Sequence, residues 1–228
     1  MGNLGIIIMA KPSGLKGMSM MKKYVTTTMM ILGCLMWAFS AWASDTGPRQ
    51  VVENGVNEVL SIFNKPEYQG EMNRKQRDEL LFKKAQELFD FYSFAMGALG
   101  RSWQGFSPAQ RDTFISYFSQ LIADTYFAKI EGEQLSDLSV RYVTERFLDS
   151  TKSGRQRADL FTEVSHGGVV TPVDYRMLKP PGGVWKIYDV KIEGVSLLGN
   201  YREQYRERFM DSPDKLIQEV REKVKNES

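Results

Sequence analysis

At 228 residues, 42% apolar and 25% charged, the chain has the length and balance of one folded domain able to bury a core or enclose a cavity, which excludes a disordered chain. The formal net charge of +2 owes everything to Lys11, Lys16, Lys22 and Lys23, which lie in a stretch without acids running to Ala43. Without those four, the 30 basic residues fall below the 28 acidic ones, so no general attraction to nucleic acid or to an anionic membrane surface is expected.

The N-terminus has the pattern of an export signal. Lys22 and Lys23 form a charged start, an apolar run follows from Met29 to Phe39, and Ala41-Trp42-Ala43 supplies a small-x-small cleavage site. The run is too short and wrongly flanked for a spanning helix. Initiation at Met20 or Met21 fits this layout, with residues 1–19 an upstream extension. Cys34, the only cysteine, follows Ile31-Leu32-Gly33 in a loose lipoprotein box, an alternative that leaves a lipid-anchored Cys34. The apolar residues from Leu35 to Ala43 favour cleavage after Ala43. The expected division is therefore 1–43, extension and cleaved signal peptide, and 44–228, a single α+β domain held by packing without disulfides.

A first helix is predicted from near Thr46, with Pro48 in its first turn and Val52, Val56, Val59 and Phe63 as its stripe, ending at Asn64-Lys65-Pro66. A second runs from about Asn73 to Leu99 and stops at Gly100. Leu81, Ala85, Leu88, Tyr92, Ala95 and Leu99 form its stripe, while Phe89, Phe91, Phe94 and Met96 make its end apolar all round. Such a segment must be enclosed by protein or by something greasy that the protein holds. Ser107-Pro108-Ala109-Gln110 starts a third helix with a cap, a proline at the first position and a capping-box Gln. Its wide apolar face combines Phe114, Phe118, Leu121 and Thr125 with Ile115, Ile122 and Tyr126, and Gly132 marks its end.

From Ser139 the period becomes two. Val140 and Tyr142 open one strand; Ala158, Leu160, Thr162 and Val164 line the next; Val169, Thr171, Val173, Tyr175 and Met177 line a third. Ser165-His166-Gly167-Gly168 and Pro180-Pro181-Gly182-Gly183 are the turns. Pro172 suggests an edge strand or a bulge. In the last strand, Val184 to Val195, Trp185 and Ile187 have one parity and Val190 and Ile192 the other. Either a bulge flips the register or both faces are covered, and coverage by a curved sheet is the favoured reading. Helices over about 197–210 and 213–224 complete an α+β order.

Two blocks now stand out. One is Phe89-Asp90-Phe91, Met96, Leu99-Gly100, Trp103 and Ser107-Pro108-x-Gln110-Arg111 with Phe114 and Phe118. The other is Pro172-Val173-x-Tyr175, Trp185 to Val190, Glu193-Gly194-Val195-Ser196 and Tyr201-Arg202. Together they resemble the MlaC / toluene-tolerance family, periplasmic phospholipid-binding proteins of the Mla pathway, over about Pro48 to Val224. The resemblance implies an NTF2-like α+β cone: a twisted antiparallel sheet of about four strands, with several helices, around an apolar cavity. It implies a non-catalytic carrier in the Gram-negative periplasm, with phospholipid as ligand and no cofactor or metal. Its implied partners are an inner-membrane ABC-transporter complex with an MCE-domain subunit and an outer-membrane lipoprotein–porin complex, between which lipid moves to maintain outer-membrane asymmetry. No stable membrane insertion and no nucleic acid are implied.

The chemistry agrees with that role. A diacyl lipid exposes some thirty CH₂ groups at about 0.8 kcal/mol each, so a free monomer costs roughly 20–25 kcal/mol in water. A carrier must replace the bilayer with an apolar interior. Candidate lining residues are Phe91, Leu99, Phe114, Phe118, Leu121, Val173, Tyr175, Ile187, Val190, Ile192 and Val195; each taken alone also reads as ordinary core. Arg101, Arg111 and Lys129 are candidate phosphate contacts. Trp103 and Trp185 read as packing anchors, and His166 as a turn residue. One rival is an NTF2-like enzyme acting on an apolar small molecule with Asp189 or Glu193 as base. A second rival is an adaptor with a solid core.

Overall fold

The computed structural model describes residues 46–68, 71–130, 135–206 and 212–227. The expected export segment, Cys34 and Gly132 lie outside them. The described residues belong to one compact unit, Thr46–Ser228.

Helix α1 (Pro48–Asn64) starts with Gly47 as cap, not Thr46, and Pro48 at its first position. Its buried residues include Val52, Gly55 and Ile62. Gly55 allows close approach to α2 (Glu71–Leu88), since a Cβ there would lie 2.5 Å from Leu88 Cδ1. The predicted long second helix is in fact two, α2 and α3 (Phe91–Leu99). Asp90 interrupts it by capping α3: its carboxylate accepts from Ser93 N at 2.9 Å and Ser93 Oγ at 2.6 Å. At the same point Phe89 bridges to Ile187, and Asp90 N donates to Ile187 O at 2.8 Å. The break resets the helical phase, so Tyr92 is exposed while Phe94, Ala95, Ala98 and Leu99 are buried.

Helix α4 (Pro108–Ile130) has the expected capping box, with Gln110 N on Ser107 Oγ at 3.3 Å and Ser107 N on Gln110 Oε1 at 3.0 Å. Helices α5 (Leu197–Arg206) and α6 (Pro213–Glu227) follow the sheet, α5 packing on α3 and α6 on α4.

The sheet has five antiparallel strands in the order β1 (Ser139–Leu148), β2 (Gln156–His166), β3 (Val169–Lys179), β4 (Lys186–Ile192) and β5 (Val195–Ser196), and is open. The strand beyond the expected four is the two-residue β5, split from β4 by a turn at Glu193-Gly194. Pro172 is not on an edge strand, because β3 lies between β2 and β4. Its carbonyl accepts from Glu193 N at 2.9 Å, so its missing N–H faces the same side, where β4 has already ended in that turn.

The parity break in β4 is a bulge, which corrects the favoured reading of coverage on both sides. Arg176 pairs Asp189 and Met177 pairs Ile187, leaving Tyr188 as the extra residue. Ile187, Val190 and Ile192 thereby join Met177, Tyr175 and Val173 on one face, the α1 face. Tyr188 packs with the helical core on the other side.

Candidate functional site

The candidate lining residues fall into separate places. Leu99, Phe114, Phe118 and Leu121 lie in a core formed by α3, α4, α5 and α6, and Phe114 is 0% exposed. Phe118 meets Phe114 at 5.0 Å, Phe94 at 5.7 Å, Tyr201 at 4.9 Å and Tyr205 at 5.8 Å between ring centroids. Contacts at that spacing are protein on protein. These four residues therefore belong to the helical core and not to the sheet face.

Val173, Tyr175, Ile187, Val190 and Ile192 form the second group, on the α1 face of the sheet with Val52, Ala158, Leu160, Met177 and Trp185. Cross-strand pairing explains the grouping. Ala158–Met177–Ile187, Leu160–Tyr175–Val190 and Thr162–Val173–Ile192 are three successive rows. Burial falls along them. The first row is fully buried, Tyr175 in the second is half-buried, and both Val173 and Ile192 in the third are half-buried. Beyond it Val140, Val164 and Thr171 are half-buried, and Val169 at the hairpin is exposed. One end of this face is therefore closed core and the other is a partly covered apolar surface.

Helix α1 lies across that surface with Val51 and Val56 half-buried against it. Arg49 N donates to Glu145 Oε1 at 2.6 Å, and the Arg49 guanidinium lies 5.2 Å over the Tyr142 ring, which ties the start of α1 to β1. The surface offers little polar chemistry. Thr162 Oγ1 donates to Val173 O at 2.6 Å. Burial pushes the Tyr175 phenol up to about 12, with Thr162 bonded to it, and burial also raises that of Tyr142. Both stay neutral at ordinary pH. Sequence reasoning did not place Val51, Val56 or Tyr142 at the site. The parity of Tyr142 with Val140 was the available signal, but pairing with β2 is needed to show which face it shares.

Two candidates lie elsewhere. Phe91 stacks on Phe89 at 5.7 Å and lines a separate cleft of about 450 Å³ with Ile115, Asp112 and Lys186. Val195, at 54% exposure in β5, stands outside the apolar interior.

The other sequence candidates have structural work. Asp189 is 0% exposed; its carboxylate accepts from Ser196 Oγ at 2.7 Å and Leu198 N at 3.1 Å, and Arg176 lies at 3.5 Å. It anchors the start of α5 from the face opposite Tyr175. Glu193 is exposed at a positive φ of 51° in the β4–β5 turn and does not join Asp189. His166 Nδ1 lies 2.8 Å from Asp137 Oδ1 at the β2–β3 hairpin, whose Gly167 and Gly168 have φ of 56° and 78°. Arg111 lies 4.9 Å over the Trp103 ring and donates to Trp103 O at 3.1 Å. Arg101 is exposed, and the Lys129 side chain lies outside the described residues. Trp103 and Trp185 are both buried, Trp103 stacking on Phe106 and Trp185 meeting Phe147 edge to face. Among the described residues no group of three His, Cys, Asp or Glu is placed to hold a metal, and no helix is long and apolar enough to cross a membrane.

No match was found among curated protein sequences. A solved structure described as the phospholipid-binding protein from Ralstonia solanacearum, in complex with a phospholipid, is similar to this chain with a TM-score of 0.66. The two are 25% identical, and the match covers 78% of this chain and 96% of that one. Residues 53–222 match the family described as MlaC protein, and the chain thus belongs to the MlaC family.

Proposed function

We propose that the chain is a phospholipid carrier that holds acyl chains against the α1 face of its sheet and catalyses no reaction. The observation that supports this most directly is the burial gradient from Met177 and Ile187 to Val173 and Ile192, an apolar face closed at one end and partly exposed at the other. A partly exposed apolar surface is costly in water, and hydrocarbon is a natural cover for it. Membership of the MlaC family and the phospholipid-bound relative point the same way. The non-catalytic reading draws on Asp189, whose carboxylate is committed to Ser196, Leu198 and Arg176.

In the full role the protein works in the periplasm after cleavage near Ala43. It exchanges lipid with an inner-membrane ABC-transporter complex bearing an MCE-domain subunit and with an outer-membrane lipoprotein–porin complex, and so maintains outer-membrane lipid asymmetry. The test is native mass spectrometry of the purified protein, paired with thin-layer chromatography of an organic extract. Phospholipid at close to one molecule per chain is expected. Protein that is folded, free of lipid and unable to take it up from vesicles would overturn the reading.

A further inference from the structure

On the face of the sheet opposite Tyr175, α3 and α5 stand against β3 and β4 across a cleft of about 490 Å³. Among the described residues its lining includes three guanidiniums, those of Arg155, Arg176 and Arg202, and no carboxylate. They come from the loop just before β2, from β3 and from the exposed side of α5. Like-charged groups brought together by three separate elements repel one another, and nothing in the packing of a core requires them.

Their existing bonds leave donors over. Arg155 Nη1 donates to Ser93 Oγ at 3.2 Å, and Arg202 Nε to Gly97 O at 2.8 Å; among the described residues neither has a direct carboxylate partner. Arg176 lies 3.5 Å from the buried Asp189 and 5.1 Å over the Tyr188 ring, and Asp189 is already bonded to Ser196 and Leu198. A guanidinium has five N–H donors in a planar fork, so most of those in the cleft are unused. Thr151, Ser153 and Ser196 add hydroxyls to the same lining, and Met96, Leu178 and Leu198 add an apolar wall.

We propose that this cleft binds a phosphate group borne on a small molecule or head group. Forked donors from several directions match the oxygens of a phosphate better than one carboxylate, and the apolar wall leaves room for the group that bears it. The volume is that of a small-ligand pocket. The site is independent of the lipid-holding face, from which the sheet separates it.

The test is a titration of the full chain with inorganic phosphate and, separately, with sn-glycerol 3-phosphate, each against sodium chloride of equal ionic strength. The arginine Nε–H signals are followed by proton–nitrogen correlation spectroscopy. Saturable shifts of the Arg155 and Arg202 signals are expected with phosphate and not with chloride. Arg155→Ala with Arg202→Ala is expected to weaken binding roughly a hundredfold, and Arg155→Lys with Arg202→Lys about tenfold, the charge remaining and the fork lost. The lysine pair keeps the test decisive should the alanine pair fold poorly, and lipid content is unchanged in either. Tighter binding of glycerol phosphate identifies a head group as the source, and equal binding identifies free phosphate. Shifts equal in phosphate and chloride, or affinity unaltered in both double variants, would overturn the proposal.

Discussion

The helical core and the α1 face of the sheet are built from the same kinds of side chain and end in opposite states. Around Phe118, rings from α3, α4 and α5 lie within 5.8 Å between centroids, and Phe118 is 1% exposed. On the sheet, Val173 and Ile192 share a row with Thr162, α1 crosses the same face, and both apolar side chains remain half-buried. What separates the two is how completely the neighbouring elements cover the side chains, and side-chain hydrophobicity does not decide it.

The largest effect expected is therefore on stability. Phe118→Ala should cost about 3–5 kcal/mol of unfolding free energy in urea titration, because its neighbours cannot collapse into the space. Lipid per folded molecule should be unchanged. A variant that folded almost normally but lost its lipid would make the helical core a lining and dissolve the distinction. The reverse pattern is expected of Val173→Asp. A carboxylate among acyl chains should lower co-purified lipid at least about tenfold, measured as phosphorus in an organic extract. Because the side chain is half-buried, the fold should lose only about 1–2 kcal/mol.

Much of this organisation was legible in the sequence, and the misses share one cause. The capping box at Ser107, the glycine hairpin after His166 and the alternation of β2 and β3 are local signals, and each is where the residues put it. The break at Phe89-Asp90 was missed because α2 and α3 together fit one continuous stripe. Part of what fixes the break is a bond to Ile187, almost a hundred residues away. The β4 bulge was visible as a parity conflict, but only the pairing of Arg176 with Asp189 and Met177 with Ile187 decides between bulge and double coverage. Phe114 and Phe118 show the same limit, since periodicity finds a buried face without saying what buries it. The three cleft arginines form no motif, since Arg155, Arg176 and Arg202 meet only through the fold.

Tyr175→Phe sharpens the contrast at smaller scale. The phenol is pushed up to about 12 by burial, so its oxygen sits in an apolar setting with Thr162 as partner. Removing the hydroxyl should change stability by no more than about 1 kcal/mol and leave lipid content intact. Loss of lipid in Tyr175→Phe would instead make that oxygen a head-group contact, and the face would no longer be purely a hydrocarbon surface.

The smallest effect tests whether the open end of the face is a fixed structure. There Asp137 clamps the β2–β3 hairpin, accepting from Gly167 N at 2.9 Å and meeting His166 Nδ1 at 2.8 Å. Those bonds, the Gly167 amide first, hold its carboxyl below the ordinary aspartate range. A carboxyl lowered in the fold adds stability above its unfolded value near 4, and that stability is lost as pH falls through the folded value. Asp137→Asn should therefore be slightly less stable than the parent at neutral and mildly acid pH. Below about pH 4 the gap should close, as urea midpoints taken at stepped pH will show. The absence of a gap at every pH would mean that the hairpin is held by its glycine turn alone, with the clamp adding nothing to the open end of the face.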